Sequence, residues 1–238
     1  MPPTAQPELD WKDGAIPIAR AFDDPYFSLA GGLAETRHVF LSGNDLPGRL
    51  THGFHIAELG FGTGLNLLAL ALLWQEAGSP GTLRFTSFEA FPMAAPDMTR
   101  ALAVFPEAAA ISAPLLAARA AGATEIALPG IQVALILGDA RQTLPAWREK
   151  ADAWFLDGFS PAKNPEMWGE ALMAQVARHT TPGGSFATYT AAGHVRRALS
   201  AAGFAVTRQP GFAGKRHMST GRLTATPSLP ASASHNPG

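Results

Sequence analysis

The stretch Glu58-Leu59-Gly60-Phe61-Gly62-Thr63-Gly64 decides the fold class, because it joins an apolar strand to a helix. The residues before it, Phe54–Leu59, predict a short strand, and Leu65–Trp74 predicts a helix that is apolar nearly all round. Glycines at such a turn let the backbone bend sharply and let a ligand approach without a Cβ in the way. This order of strand, glycine loop and helix predicts the ligand-binding edge of an α/β sheet.

The rest of the chain continues to alternate between strand and helix patterns. Further strands are predicted at Leu83–Phe88, Ile131–Leu137, Asp152–Leu156, Ser185–Tyr189, Phe204–Thr207 and 215–223, and further helices near 94–104, 112–121, 168–179 and 193–202. Such alternation predicts a mostly parallel, doubly wound sheet of the Rossmann-like class. Ligands bind these sheets outside the carboxyl ends of the strands, so the residues that follow each strand are the site candidates.

Two segments flank this core of residues 51–223. Residues 1–50 contain an aromatic cluster and a predicted strand at Thr36–Leu41, and we interpret them as an N-terminal extension packed on the core. Residues 224–238 are rich in Pro, Ser and Ala without periodicity, which predicts a disordered tail.

Composition excludes several classes of function. The chain of 238 residues is 47% hydrophobic and 16% charged, as expected for a globular protein with a sizeable core. It has no cysteine, which rules out disulfides and thiolate chemistry, and its histidines form no metal-binding motif, so we expect no metal. A net charge of −1 means that nucleic-acid binding would need a local basic patch. We see no signal peptide or apolar run long enough to span a bilayer, and expect a cytoplasmic protein without membrane contact.

Acidic residues lie at or directly after the ends of the first three core strands. Glu58, beside the glycine loop, suits a ligand that carries an ammonium, as the amino-acid part of S-adenosylmethionine does. Glu89 comes 25 residues after Gly64, where an acid can accept both ribose hydroxyls. Asp139 follows the next strand and could accept the adenine amine. The alternative for Glu89 is a solvated carboxylate at a strand end, and the alternative for Asp139 is a common Gly-Asp turn.

The segment from Asp157 to Trp168 is the most specific in the chain. An acid closes a buried strand there, and a stiff loop with two prolines, an aromatic residue and several polar groups follows. Amine methyltransferases need such a combination, and Asp157 is the candidate for orienting the amine and for accepting its proton. Phe159 would then stack on the ring that bears the amine. A plain Asp-Gly turn with a rigid loop is the alternative.

Several motifs in the same order resemble the methyltransferase domain of the bacterial MnmC family of tRNA wobble-uridine modification enzymes. They are 58–66, 88–92, 157–168 and 214–218, and the resemblance runs from about Trp11 to Gly221. It implies a class I S-adenosylmethionine-dependent methyltransferase that methylates the 5-aminomethyl group of the wobble uridine in tRNA. A flavin-dependent oxidase domain follows in the two-domain members. We find no second dinucleotide-binding glycine motif, so we expect no FAD. We then expect a separate oxidase or aminomethyl-forming complex to supply the substrate amine.

The resemblance also implies roles for individual residues. The predicted cofactor residues are Glu58, Gly60, Phe61, Gly62, Gly64, Asn66, Glu89, Ala90, Asp139, Ala140 and Asp157. The predicted substrate residues are Phe159, Ser160, Pro161, Lys163, Asn164, Arg196, Lys215 and Arg216, the basic ones as a phosphate-binding patch. Ordinary solvated surface charges are the alternative for these basic residues. Asp157 is the predicted catalytic residue.

Three other functions stay open on the sequence alone. One is a methyltransferase for small-molecule amines, and another is an aminopropyltransferase that uses decarboxylated S-adenosylmethionine on the same fold. The third is a non-catalytic RNA-binding protein on a decayed methyltransferase fold. Intact acids at Glu58, Glu89, Asp139 and Asp157 argue against decay, because a binding module needs none of them.

Overall fold

The computed structural model describes residues 5–28 and 31–224 and has a mixed central sheet between two layers of helices. Its strands are β1 Leu9–Lys12, β2 Ile16–Ala19, β3 Asp24–Pro25, β4 His55–Leu59, β5 Leu83–Glu89, β6 Glu125–Leu128, β7 Ile131–Leu137, β8 Ala151–Leu156, β9 Thr180–Thr188, β10 Phe204–Pro210 and β11 His217–Leu223. Its α-helices are α1 Gly32–Thr36, α2 Leu46–Arg49, α3 Leu65–Glu76, α4 Ala95–Leu102, α5 Ala109–Ala120, α6 Ala140–Thr143, α7 Glu170–Arg178 and α8 Gly193–Ala201.

The large sheet has the strand order β10-β11-β9-β8-β4-β5-β7-β6. The strands from β9 across to β7 pair in parallel, whereas β6, β10 and β11 pair antiparallel at the two edges. Strand order reverses between β4 and β8, which makes the carboxyl ends of these strands the topological switch point. The predicted doubly wound sheet is confirmed, and the glycine loop lies at this point.

Alternating side chains of the central strands build two cores. Phe155 of β8 packs with α3 and the N-terminal segments on one face of the sheet. Its neighbours Trp154 and Leu156 pack with α7 and α8 on the other face. Both faces are therefore covered, which explains why the strand sequences are continuously apolar.

The helix α3 is buried on almost every side, as its sequence predicts. Leu68 is 0% exposed, whereas Gln75 near the end of the same helix faces solvent. We expect Leu68→Ala to lower the free energy of unfolding by about 2–5 kcal/mol, because a buried cavity remains. Urea denaturation measures this, and Gln75→Ala should stay within about 0.5 kcal/mol of wild type. Equal losses for both variants would contradict the packing of α3.

The segment Thr36–Leu41 was predicted to be a strand, and this prediction is wrong. Thr36 ends α1, and Arg37–Leu41 continues as one turn of π-helix. Val39, Phe40 and Leu41 are all buried in succession, which a half-buried strand with alternating faces would not allow. Tertiary packing has overridden the β-propensity of this stretch.

The N-terminal region holds a small antiparallel sheet in the order β1-β2-β3, which the sequence did not reveal. The antiparallel strand β6 was also missed. Of the predicted tail, only Thr224 lies within the described residues, where its backbone N–H donates to the Gly203 carbonyl. Among the described residues, no helix is both long enough and apolar enough to cross a membrane.

Candidate active site

A cavity of about 1170 Å³ opens at the carboxyl ends of β4, β5, β7 and β8. Its walls are the glycine loop, the end of β5, the start of α6, the loop after β8, the segment 22–28 and α1. The predicted residues that line it are Gly60, Phe61, Gly62, Asn66, Glu89, Ala90, Asp139, Ala140, Asp157, Phe159, Ser160, Lys163, Asn164 and Lys215. The predicted residues Glu58, Gly64, Pro161, Arg196 and Arg216 do not line it.

The glycine loop has a backbone that side chains would disturb. Gly60, Gly62 and Gly64 have φ angles of 87°, 54° and 81°, in the left-handed region that favours glycine. A Cβ on Gly60 would lie 3.3 Å from the Asp157 carbonyl oxygen, and one on Gly62 would lie 3.0 Å from the Tyr26 ring. The loop therefore lies tightly between these two neighbours and leaves the cavity open for a nucleoside-sized ligand.

Glu89 joins the end of β5 to the glycine loop. Its carboxylate accepts the backbone N–H of Gly62 at 2.9 Å and that of Phe91 at 2.7 Å. Burial raises the pKa of Glu89, and the backbone N–H groups oppose that rise. The carboxylate faces the cavity with acceptor capacity left, so it fits the hydroxyls of a ribose.

Asp139 begins α6 and forms the opposite wall. Its side chain accepts the Arg141 backbone N–H at 2.8 Å as an N-cap and also binds the Arg141 guanidinium at 2.6 Å. These contacts with Arg141 lower the pKa of Asp139. The guanidinium in turn pairs with Glu166 at 2.5 Å, which ties this wall to the loop after β8. Gln142, which the sequence analysis missed, also lines the cavity here.

Glu58 lies behind the cavity wall. It alternates with Ala57 and Leu59 along β4 and is 0% exposed. Among the described residues, its carboxylate accepts hydrogen bonds from Asn66 Nδ2 at 2.8 Å and from Ser87 Oγ at 2.7 Å. Desolvation raises the pKa of Glu58 well above its ordinary range. Strand alternation turns the Glu58 side chain under α3, so its contact with the cofactor ammonium stays a prediction.

Asp157 is the acid that faces the cavity beside the glycine loop. Its carboxylate accepts Asn66 Nδ2 at 2.8 Å and the backbone N–H of Gly158 at 2.8 Å. Burial raises the pKa of Asp157 to about 6, against the lowering effect of these two hydrogen bonds. Nearby Glu35 raises it further and Lys215 lowers it. Asp157 is therefore mostly ionised at neutral pH and close to the range of an efficient base.

The N-terminal segment supplies cavity residues that the sequence analysis missed. The Phe22 ring stacks on Phe159 with centroids 4.5 Å apart, and the Tyr26 ring meets Phe159 edge-on at 5.2 Å. The Asp24 carboxylate accepts the Ser160 backbone N–H at 2.8 Å. The predicted stacking of Phe159 on a base must therefore use the ring face that Phe22 leaves free. The aromatic cluster around Tyr26 was the only sequence signal for these contacts.

The predicted basic patch is only partly at the cavity. Lys163 contacts the carboxylates of Asp23 and Asp24, at 3.4 and 3.6 Å. Lys215 Nζ lies 2.6 Å from Glu35 Oε1 and 4.9 Å from the Tyr189 ring centre. Arg216 is exposed and does not line the cavity, whereas the Nε atom of Arg196 is buried and has no hydrogen-bond partner among the residues that the structure describes. Lys163 and Lys215 are thus already neutralised by neighbouring acids, and a phosphate-binding role for this group stays a prediction.

Comparisons with known proteins show what this chain is similar to. The model of a family described as S-adenosyl-L-methionine-dependent methyltransferase matches residues 106–224. A relative from Pseudomonas paraeruginosa, named tRNA 5-methylaminomethyl-2-thiouridine biosynthesis bifunctional protein MnmC, is 46% identical over 92% of this chain and 35% of its own length. One of the same name from Caulobacter is 48% identical over 90% of this chain and 38% of its own. The chain thus spans about a third of the length of these relatives.

Solved structures show the same fold. The crystal structure of MnmC2 from Aquifex aeolicus matches with a TM-score of 0.71 and 28% identity, over 96% of this chain and 74% of that one. A spermidine synthase from Thermotoga maritima matches with a TM-score of 0.56 at 9% identity, over 92% of this chain and 72% of that one, which is a likeness of fold alone. The family model covers half of the chain, and the chain belongs to the family of S-adenosyl-L-methionine-dependent methyltransferases.

Proposed function

We propose that the chain transfers a methyl group from S-adenosylmethionine to the 5-aminomethyl group of the wobble uridine in tRNA, giving 5-methylaminomethyl(-2-thio)uridine. The names of the relatives, with 46–48% identity across nearly the whole chain, support this choice of substrate. The observation that carries the proposal is the Asp157 carboxylate, which lies in the cavity with two hydrogen-bond donors and a raised pKa. A carboxylate so placed suits a basic amine.

The residues present fit the cofactor. Glu89 faces the cavity where ribose hydroxyls would lie, and Asp139 and Gln142 line the part where an adenine would lie. Gly60 and Gly62 leave room for the amino-acid part. When bound, the cofactor supplies an electrophilic methyl group on a sulfonium, so the protein mainly has to position the amine and exclude water.

Asp157 would prepare the amine for attack. An alkylammonium has no lone pair, so its nitrogen must lose a proton before or during methyl transfer. The ionised Asp157 holds the ammonium and accepts this proton. Asp157 passes this proton on to solvent, so it is a carboxylate again when the new N–C bond forms, and it then stabilises the positive charge that builds on the nitrogen. Tyr189, whose hydroxyl donates to the Gly158 carbonyl at 2.8 Å, keeps the backbone next to Asp157 in place.

The relatives are named bifunctional, and this chain spans about a third of them. We therefore propose that an activity outside these 238 residues supplies the aminomethyl group. A cytoplasmic location, as predicted from the sequence, agrees with a tRNA substrate.

The direct test is transfer of labelled methyl to bulk tRNA from cells that cannot complete the wobble uridine, followed by nucleoside analysis. We expect label in 5-methylaminomethyluridine or its 2-thio form, and none with fully modified tRNA. Absence of transfer, with cofactor binding intact by calorimetry, would refute the RNA substrate. Assay of simple primary amines in parallel shows whether the same site methylates small molecules instead.

The pH dependence of the reaction should follow Asp157. Its pKa is raised to about 6, so the ionised form that accepts the proton is lost as the pH falls through 6. We expect kcat/KM with the tRNA to drop about tenfold per pH unit below that value and to be flat just above it. Rates measured between pH 5 and 8 test this fall in kcat/KM. The substrate ammonium titrates well above this range, so its own ionisation does not interfere. Asp157→Asn should show low activity without this fall.

A further inference from the structure

Asn66 connects the buried Glu58 to Asp157, which faces the cavity. Its side-chain nitrogen donates one hydrogen to Glu58 Oε1 and the other to Asp157 Oδ2, each at 2.8 Å. Its side-chain oxygen accepts the Thr36 hydroxyl at 2.9 Å. The amide thus uses both of its hydrogens on carboxylates, while its oxygen is held by a residue from α1.

The orientation of this amide follows from its neighbours. A carboxylate accepts hydrogen bonds, so the side of Asn66 that faces Glu58 and Asp157 must be the nitrogen. Rotation of the amide by half a turn would place its oxygen against two acids and leave the nitrogen at the Thr36 hydroxyl. Thr36 and Asn66 are 4% and 6% exposed, so water competes little for these bonds.

Asn66 is held in place by its position in the fold and by its contact with Glu58. It lies in the first turn of α3, directly after the glycine loop. Glu58 is itself fixed by the hydroxyl of Ser87, its cross-strand neighbour on β5. A fully buried acid still offers an acceptor oxygen when protonated, so Glu58 anchors Asn66 in either charge state.

We propose that Asn66 is a positioning residue for methyl transfer, which holds the Asp157 carboxylate ionised and turned toward the cavity while Glu58 holds Asn66. The inference rests on the proposed function, in which Asp157 receives the substrate amine. It goes beyond the predicted place of Asn66 among the cofactor residues, because it assigns the amide to the amine side of the reaction.

The charges around Asp157 agree with this role. Burial raises its pKa, and the hydrogen bond from Asn66 is the largest effect in the opposite direction. The other groups that face it are Glu35 from α1, Lys215 from the β10–β11 turn, the buried Glu58 and the hydroxyl of Tyr189. Burial raises the pKa of Tyr189, so this phenol stays neutral. Glu35 and Lys215 act on the Asp157 pKa in opposite directions, so the ionised form is supported mainly by the Asn66 contact and, to a smaller extent, by the Gly158 backbone N–H.

The test is a titration of Asp157 that needs no RNA. Carbon-13 NMR of protein with labelled aspartate carboxyls reports each ionisation, and Asp157→Asn identifies the signal. We expect Asn66→Ala to move the Asp157 midpoint up by about one to two pH units, the size of one lost hydrogen bond to a charged group. Thr36→Val, which removes only the donor to the Asn66 oxygen, should give a smaller shift in the same direction.

Asn44→Ala is the matched control. Asn44 is also a buried amide, 1% exposed, but its side chain hydrogen-bonds the carbonyls of Phe40 and Trp154 and the hydroxyl of Ser185 instead of Asp157. We expect it to lower Tm without moving the Asp157 midpoint. If Asn66→Ala does not fold, Thr36→Val carries the test alone.

The acidic limb of kcat/KM should move upward with the NMR midpoint in both variants. An Asp157 midpoint that is unchanged in Asn66→Ala and in Thr36→Val would overturn the inference, and so would an equal shift in Asn44→Ala. Absence of tRNA methylation by wild type would refute the proposed function instead, while the NMR result would still decide whether Asn66 controls Asp157.

Discussion

Asp157→Ala should lower the methylation rate by about 100-fold or more while it leaves the affinity for S-adenosylmethionine within a few-fold. The carboxylate lies in the cavity at the end of β8, and it is the acid there that we expect to touch the substrate nitrogen. Its removal takes away both the proton acceptor and the negative charge that stabilises the ammonium as it forms. Single-turnover methylation of tRNA and calorimetric binding of the cofactor separate the two effects.

Two further variants serve as a conservative substitution and as a control for this prediction. Asp157→Asn keeps the shape and one acceptor oxygen, so it should retain cofactor binding and still lose most of the rate. Asp10→Ala removes a carboxylate from an exposed ion pair with Arg20 and should leave both quantities unchanged. Wild-type turnover by Asp157→Ala would remove this residue from the mechanism.

Glu89→Ala should weaken cofactor binding by about 10- to 100-fold. A hydrogen bond to a charged group contributes roughly 1.5–3 kcal/mol, and every 1.4 kcal/mol changes an affinity about tenfold. The substitution also leaves the backbone N–H groups of Gly62 and Phe91 without their carboxylate acceptor, which loosens the glycine loop. Calorimetry with S-adenosylmethionine measures the dissociation constant.

Glu89→Gln and Glu125→Ala are the controls for this prediction. The Gln side chain keeps one acceptor oxygen and places an NH₂ group near backbone donors, so we expect an intermediate loss. Glu125 is an exposed acid on the edge strand β6, and its replacement should leave the affinity as in wild type. An unaltered dissociation constant in Glu89→Ala would show that the ribose assignment is wrong.

The central sheet and most of its helices could be predicted from the sequence because both faces of the sheet are covered. Continuous apolar runs such as Ile131–Leu137 then mark the strands, and glycines and acids mark their carboxyl ends. Glu89, Asp139 and Asp157 were predicted as site residues by this rule, and all three line the cavity. Strand ends lie together in space whatever the loops do, so the rule depends little on tertiary detail.

Two positions depart from this rule. Glu58 precedes the end of β4 by one residue, and strand alternation turns it under α3 instead of into the cavity. Thr36–Leu41 has the composition of a strand, but its burial on successive residues belongs to a helix packed into the core. Neither difference can be read from local propensity, because the packing partners are distant in sequence.

Contacts from distant segments were the least predictable part of the site. Phe22, Asp24 and Tyr26 reach the loop after β8, and Lys215 reaches Glu35 from the far end of the described chain. No periodicity or motif encodes such pairings. The sequence contains only the residue types, here aromatic rings and opposite charges, and the fold determines which of them meet.

The large sequence separation of these contacts has a consequence for folding. Glu35 and Lys215 are 180 residues apart, and Asp24 and Ser160 are 136 apart, so the walls of the cavity close only after long loops have been brought together. Closure of a long loop lowers conformational entropy before the contacts at its ends can stabilise the structure, and this slows folding. We therefore expect the cavity to be among the last parts of the protein to form in refolding, after the central strands have paired.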